Sequence, residues 1–182
     1  MTAPHDRFPF VSRLLHWLMA ALILAMLFIG AGMAASVSER YALLVSIHRP
    51  LGIAILVLVA IRLVNRWVNP PPPLPDSIPP VQRLAARASH ILLYALMIAM
   101  PLVGWGMLSA ARTPIVLWGP LQLPPILPQD PVLYATLRHL HLYLAYLLYL
   151  TFLVHLGAAL LHGLIRRDGV FGSMASWRLG NR

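Results

Sequence analysis

Four long apolar runs punctuate the chain. Leu14–Met33 and Ser89–Ala111 carry no formal charge, and neither does His139–Ile165. A fourth, Tyr41–Trp67, keeps an uncharged centre between Arg49 and Arg62, which lie near its ends and can snorkel to the membrane surfaces. A bilayer core needs roughly 20 apolar residues per helix, and every run is long enough. The pattern predicts four transmembrane helices, over about 14–34, 41–67, 89–111 and 138–165. The chain is too short for two domains of ordinary size, so residues 1–182 are expected to form one bundle.

The connections fit this division. Asn69 is followed by Pro70-Pro71-Pro72-Pro73-Leu74-Pro75 and then Pro79-Pro80, a stretch that cannot continue a helix and predicts a stiff interfacial strap. Between Arg112 and Arg138 lie six prolines among Leu, Ile and Trp118. That segment is too apolar for a solvated loop and is expected to lie along the membrane surface, covering one end of the bundle. No internal repeat is evident. The first run has the positive flank of a secretory signal, but its core exceeds the usual 7–15 residues and contains His16 and Trp17, so a retained helix is expected.

Composition sharpens the class. Of 182 residues, 59% are hydrophobic and 10% charged, outside the range of soluble domains. No cysteine is present, which excludes disulfides, iron–sulfur clusters and thiolate-bound haem. The net charge of +9 comes from arginine alone. In a soluble protein it would point to nucleic acid; here the arginines gather at the ends of apolar runs, and no nucleic acid partner is expected. With the N-terminus inside, ten arginines (7, 13, 62, 66, 83, 87, 166, 167, 178 and 182) fall on the cytoplasmic side, against Arg40, Arg49, Arg112 and Arg138 outside. Both termini are therefore expected in the cytoplasm.

Four histidines interrupt the apolar runs: His16, His48, His141 and His155. An ionisable or ligating group at membrane depth costs several kcal/mol unless partnered, so it usually marks function. The topology puts His48 and His141 near the outer face and His16 near the inner one. His155 lies fourteen residues beyond His141, roughly 21 Å deeper and about 40° short of four full turns. Helix four thus offers two histidines on one face, matched in depth by His48 outside and His16 inside. Two imidazoles level with each other can hold a haem iron from both sides, filling its axial positions and favouring electron transfer over oxygen binding. Taken singly, a membrane histidine is more often a helix–helix hydrogen-bonding group than a ligand; the spacing on helix four and the matched depths favour ligation for the set. Gly52, and Gly157-Ala158-Ala159, either leave room for a flat macrocycle or serve ordinary close packing.

The other histidines carry less. His139 points about 200° away from His141, His5 lies in a terminal tail, and His90 opens helix three on the cytoplasmic side, where it either hydrogen-bonds a haem propionate or serves packing. His162 lies seven residues past His155, near the same face and the cytoplasmic surface. It is placed to hand a proton to a reduced quinone; an interfacial histidine without a task fits the position as well.

With these residues the chain resembles the bacterial cytochrome b561 family of four-helix, di-haem inner-membrane proteins. The resemblance runs from Arg13-Leu14-Leu15-His16-Trp17 to Arg166-Arg167-Asp168. It includes His48 with Gly52 and Leu58-Val59-Ala60-Ile61-Arg62-Leu63, the proline strap, Ala99-Met100-Pro101-Leu102-Val103-Gly104, and the series His141, His155, His162. It implies an all-α four-transmembrane-helix bundle with two haem b groups, the inner on His16 and His155 and the outer on His48 and His141. One departure is Arg49-Pro50 directly after His48, where the proline removes a backbone donor near the expected helix start and can tilt the ligand.

The resemblance also implies coupling to the quinone pool in the bacterial inner membrane. One member type takes electrons from superoxide on the periplasmic side and reduces ubiquinone. Such a superoxide:ubiquinone oxidoreductase would gain from a positive outer entrance, for which Arg40, Arg49, Arg112 and Arg138 are candidates; interfacial anchoring explains these arginines too. The alternative is a non-catalytic cytochrome b subunit linking a dehydrogenase or hydrogenase to the quinone pool, docked through the 118–134 loop. A haem-free transporter or scaffold is the third class, which b-type absorbance in the purified protein would exclude.

Overall fold

The computed structural model describes residues 7–175. His5, Arg178 and Arg182 lie outside them. Four helices long and apolar enough to cross a membrane dominate the chain: α1 (Phe10–Ala34), α2 (Glu39–Val68), α3 (Pro80–Ala110) and α4 (Pro131–Leu160). The last runs on into a π-helical turn, Leu161–Arg166, before a short α5, Val170–Ala175.

The helices outrun the hydropathy that announces them. α3 begins at Pro80 rather than Ser89, because a proline at the first helical position loses no hydrogen bond and its fixed φ suits the turn. α4 begins at Pro131 for the same reason. Asp130 caps it, with Oδ1 accepting from the N–H groups of Val132 at 2.7 Å and Leu133 at 3.0 Å. α2 starts at Glu39, so Pro50 sits well inside it rather than in its first turns. The helix passes through Pro50 without ending, and so does α3 through Pro101.

The loop after α3 holds a feature that hydropathy did not announce. β1 (Ile115–Trp118) and β2 (Leu121–Leu123) form an antiparallel hairpin around Gly119-Pro120. Its β-branched and aromatic residues favour a strand, and Gly119 supplies the positive φ of 51° at the turn. The loop folds over the end of α3. Trp105 Nε1 donates to the Pro124 carbonyl at 2.9 Å, the Ile126 N–H donates to Ser109 Oγ at 3.1 Å, and Leu127 packs on Gly106. At the opposite end Arg83 secures the proline strap, donating from Nε to Ile78 and from Nη2 to Pro75, both at 2.9 Å.

α1 packs on α2, α2 on α3 and α3 on α4. The dry centre lies among the first three, where Met19, Val59 and Met97 are buried against Ile23, Leu56 and Leu93. Among the long helices, α4 packs closely on α3 alone. Between α4 and the α1–α2 pair the chain leaves a slot, and the site lies there.

Candidate functional site

Two pairs of imidazoles span the slot. His48 on α2 faces His141 on α4 with ring centroids 6.1 Å apart. His16 on α1 faces His155 on α4 with centroids 6.3 Å apart. A metal–imidazole bond is about 2 Å long, so two rings sharing one metal have centroids roughly 6 Å apart. Both pairs have that separation, and neither ring of a pair bonds the other.

The His48–His141 pair, expected at the outer face, carries a second mark. The Nδ1 atoms of His48 and His141 are enclosed without a hydrogen bond, although the Met100 backbone lies near enough to His141 to act on it. Buried polar atoms are seldom left so, and among the described residues no side chain competes with a ligand for either ring. Gly104 of α3 lies flat against His141: a Cβ there would stand 3.3 Å from the ring's Cε1. Among the described residues no three or more His, Cys, Asp or Glu side chains converge on one point that could hold a bare ion. Paired imidazoles across a slot instead suit a metal whose remaining ligands come from its own macrocycle. The residues present fit a haem.

The His16–His155 pair, expected at the inner face, sits in a more polar setting. Arg62 of α2 reaches His16 Nδ1 at 3.1 Å from Nη2, and donates from Nε to the Tyr94 hydroxyl at 2.9 Å. Arg66 stands over the same tyrosine ring. His90 of α3 brings a third imidazole within 5.5 Å of His155. Sequence reasoning assigns Arg62 to the interface as a topology marker and gives His90 either a haem propionate to hydrogen-bond or a packing role. The periodicity of α2 and α3 held the only signal for either, since their inward faces become known only once the packing is.

At the end of α4, the His162 Nδ1 lies 2.5 Å from Asp168 Oδ2. Burial pushes the Asp168 carboxyl up, but the His162 hydrogen bond and the Val170 N–H outweigh it and hold the carboxyl below the usual range. Asp168 is therefore ionised at neutral pH.

The arginines expected at an outer entrance do not form a cluster bound to one another among the described residues. Arg49 is half-buried and acts electrostatically on neighbouring His48, whereas Arg40, Arg112 and Arg138 are exposed. Arg112 is held at φ 52°, just past the end of α3. The hairpin side of that helix end encloses a cavity of about 300 Å³ lined by Trp105, Arg112 and Ile115.

A sequence profile of the prokaryotic cytochrome b561 family matches residues 7–177. The chain belongs to that family. It is 31% identical to cytochrome b561 homolog 2 of Escherichia coli (strain K12) over 172 residues, covering 93% of this chain and 91% of the relative. It is also 32% identical over 134 residues to the probable superoxide oxidase CybB of Yersinia pestis, covering 74% and 76% of the two chains. A third relative, cytochrome b561 homolog 1 of Escherichia coli (strain K12), is 30% identical over 136 residues, or 72% and 74%. Members of the cytochrome b561 family bind haem b and transfer electrons, and the four apolar helices make this member a multi-pass bacterial membrane protein.

Proposed function

We propose that this chain is a di-haem b-type cytochrome that moves electrons across the inner membrane from superoxide to ubiquinone. The observation that carries the reading is the double use of α4. His141 and His155 each meet a partner imidazole at about the separation of two axial ligands, His48 toward the outer end and His16 toward the inner. When bound, haem b at each pair supplies a one-electron carrier, and two such carriers stacked along α4 provide a path through the bilayer.

The balance is simple. Two superoxide anions each give up one electron and leave as dioxygen; ubiquinone takes two electrons and two protons and leaves as ubiquinol. The residues of the chain handle charge and protons. Arg49, Arg112 and Arg138 attract the anion at the outer face, and exposure of Arg112 and Arg138 leaves them free to do so. At the inner face His162 is the candidate proton donor. The likeness to a probable superoxide oxidase of Yersinia pestis supports the choice of donor.

The test uses purified haem-loaded protein in detergent, exposed to a superoxide flux with a short-chain ubiquinone. Haem reduction and quinol formation, both abolished by superoxide dismutase, are expected. Oxidised spectra that stay unchanged under the flux overturn the reading and favour an electron-transfer subunit fed by a protein partner. The apolar residues Val116 and Leu121, exposed on the hairpin, offer such a partner a footing.

A further inference from the structure

The end of α4 departs from regular helix in a specific way. Its last turn is π-helical, with the Arg167 N–H donating to the His162 carbonyl at 2.9 Å. Arg167 then takes the left-handed conformation at φ 53°, which costs a non-glycine residue roughly 1 kcal/mol. Residues six apart on a regular helix point to widely different sides. Here the break returns Asp168 to His162, and their side chains meet at 2.5 Å, each only 15% exposed.

The returning segment is anchored. Asp168 Oδ1 accepts from the Val170 N–H at 3.3 Å, and Phe171 fills the space beside Gly163, where a Cβ would stand 2.9 Å from its ring. The Phe8 N–H donates to the Ser173 carbonyl at 3.2 Å, and Trp17 Nε1 donates to the Met174 carbonyl at 3.1 Å. Trp17 is the neighbour of His16, so α5 ties the His162–Asp168 pair to the turn of α1 that carries an inner-site imidazole. No titratable side chain belongs to α5. Of the flanking arginines, Arg166 donates to Gln82 and Arg167 to the Leu164 carbonyl.

We propose that Asp168 is the positioning residue of a proton relay, holding His162 by its Nδ1 proton so that Nε2 delivers protons to a quinone at the cytoplasmic end of the bundle. The proposal rests on the quinone-reducing reading above and names the residue that makes His162 competent. A carboxylate only accepts hydrogen bonds, so Asp168 fixes the proton on Nδ1 and leaves Nε2 as the one exchangeable position. In each cycle the Nε2–H bond of the imidazolium breaks, an O–H bond forms on the reduced quinone's oxygen, and the neutral imidazole keeps its Nδ1 proton. A hydronium ion from the cytoplasmic face then restores the Nε2 proton and leaves as water. Two cycles match the two electrons that make one quinol. His155 lies two turns away, about 10 Å along the axis, so a ring beside His162 sits near the inner imidazole pair.

The experiment compares haem-loaded wild type with Asp168→Ala, His162→Gln and Phe171→Ala, the last loosening α5 without touching the pair. The side-chain ¹⁵N shifts of His162 are read first, at a pH where the ring is neutral. Wild type and Phe171→Ala are expected to hold the proton on Nδ1, and Asp168→Ala to move it to Nε2. Chemically reduced protein is then mixed with a short-chain ubiquinone. Reoxidation is expected to slow about tenfold or more in Asp168→Ala and His162→Gln, and less than twofold in Phe171→Ala. A wild type that quinone does not reoxidise overturns the functional reading and the relay with it. Rapid wild-type reoxidation, matched by Asp168→Ala despite its altered tautomer, overturns the relay alone. Equal slowing in Phe171→Ala assigns the effect to packing and overturns it too.

Discussion

Arg62 Nη2 lies 3.1 Å from His16 Nδ1, and a guanidinium can only donate. His16 therefore accepts at Nδ1 and carries its proton on Nε2. Ligation through Nε2 needs the opposite tautomer, so haem loading must release Arg62 from the ring. Its charge then stays beside the inner site, where Tyr94 still accepts from Nε. We expect Arg62→Gln to lower the midpoint potential of the inner haem by about 70 mV, from one unit charge at about 10 Å in a medium of effective dielectric about 20. A redox titration resolving the two haems checks this, and an unchanged inner potential refutes it.

The two imidazole pairs are separate in space and share only α4. His141→Ala and His48→Ala are expected to halve the haem content, and His16→Ala or His155→Ala to halve it by loss of the other group. Pyridine haemochrome assays per mole of protein give the ratio. A full complement in any of the four variants removes that residue from the ligand set.

Gly104 touches His141 closely enough that a single methyl group matters. In Gly104→Ala the ring has to give by a few tenths of an ångström, and we expect a changed outer-haem spectrum with haem retained. Gly104→Val adds bulk that α3 and α4, packed on each other, cannot absorb without moving the ring. Overpacking of this kind costs about 1–3 kcal/mol, and loss of outer haem is expected. Normal outer haem in the valine variant would place His141 elsewhere.

Arg112 holds a left-handed conformation at the end of α3, in the position that usually takes glycine. The Thr113 N–H closes the turn onto the Leu108 carbonyl at 2.9 Å. Arg112→Gly is expected to raise the thermal midpoint, by relief of about 1 kcal/mol of strain, and to slow superoxide-driven haem reduction several-fold. The rate loss should shrink as ionic strength rises, since steering is screened. A variant equal to wild type at low salt removes Arg112 from the entrance.

The depressed Asp168 carboxyl sets a pH window for α5. Because its folded value lies below the ordinary value of about 3.9, the stabilisation from ionised Asp168 is complete above that pH and is lost as pH falls through the folded value. Hydrogen exchange at Val170–Ser173, corrected for intrinsic rates, should therefore accelerate as pH falls below about 4. Asp168→Asn should abolish the step.

The apolar runs and the spacing of His141 and His155 along one helix were readable from the chain, because helical rise and bilayer thickness are fixed quantities. So was the pairing by depth, which needs only topology. Helix ends were less legible: α3 extends through a turn carrying Gln82, Arg83 and Arg87 that hydropathy scores as loop, α4 reaches back past Arg138 to Pro131, and local capping by Asp130 and proline sets where they start. The hairpin at Ile115–Leu123 hid inside a proline-rich apolar stretch, since short strands carry little periodicity. What only the tertiary structure decided is which polar side chains turn inward. Arg62 meets His16, Gly104 meets His141, and Asp168 returns to His162 through a left-handed residue. Each contact depends on helix rotation or on a break in helical regularity, and those are fixed by packing between segments distant in sequence rather than by any residue's own preference.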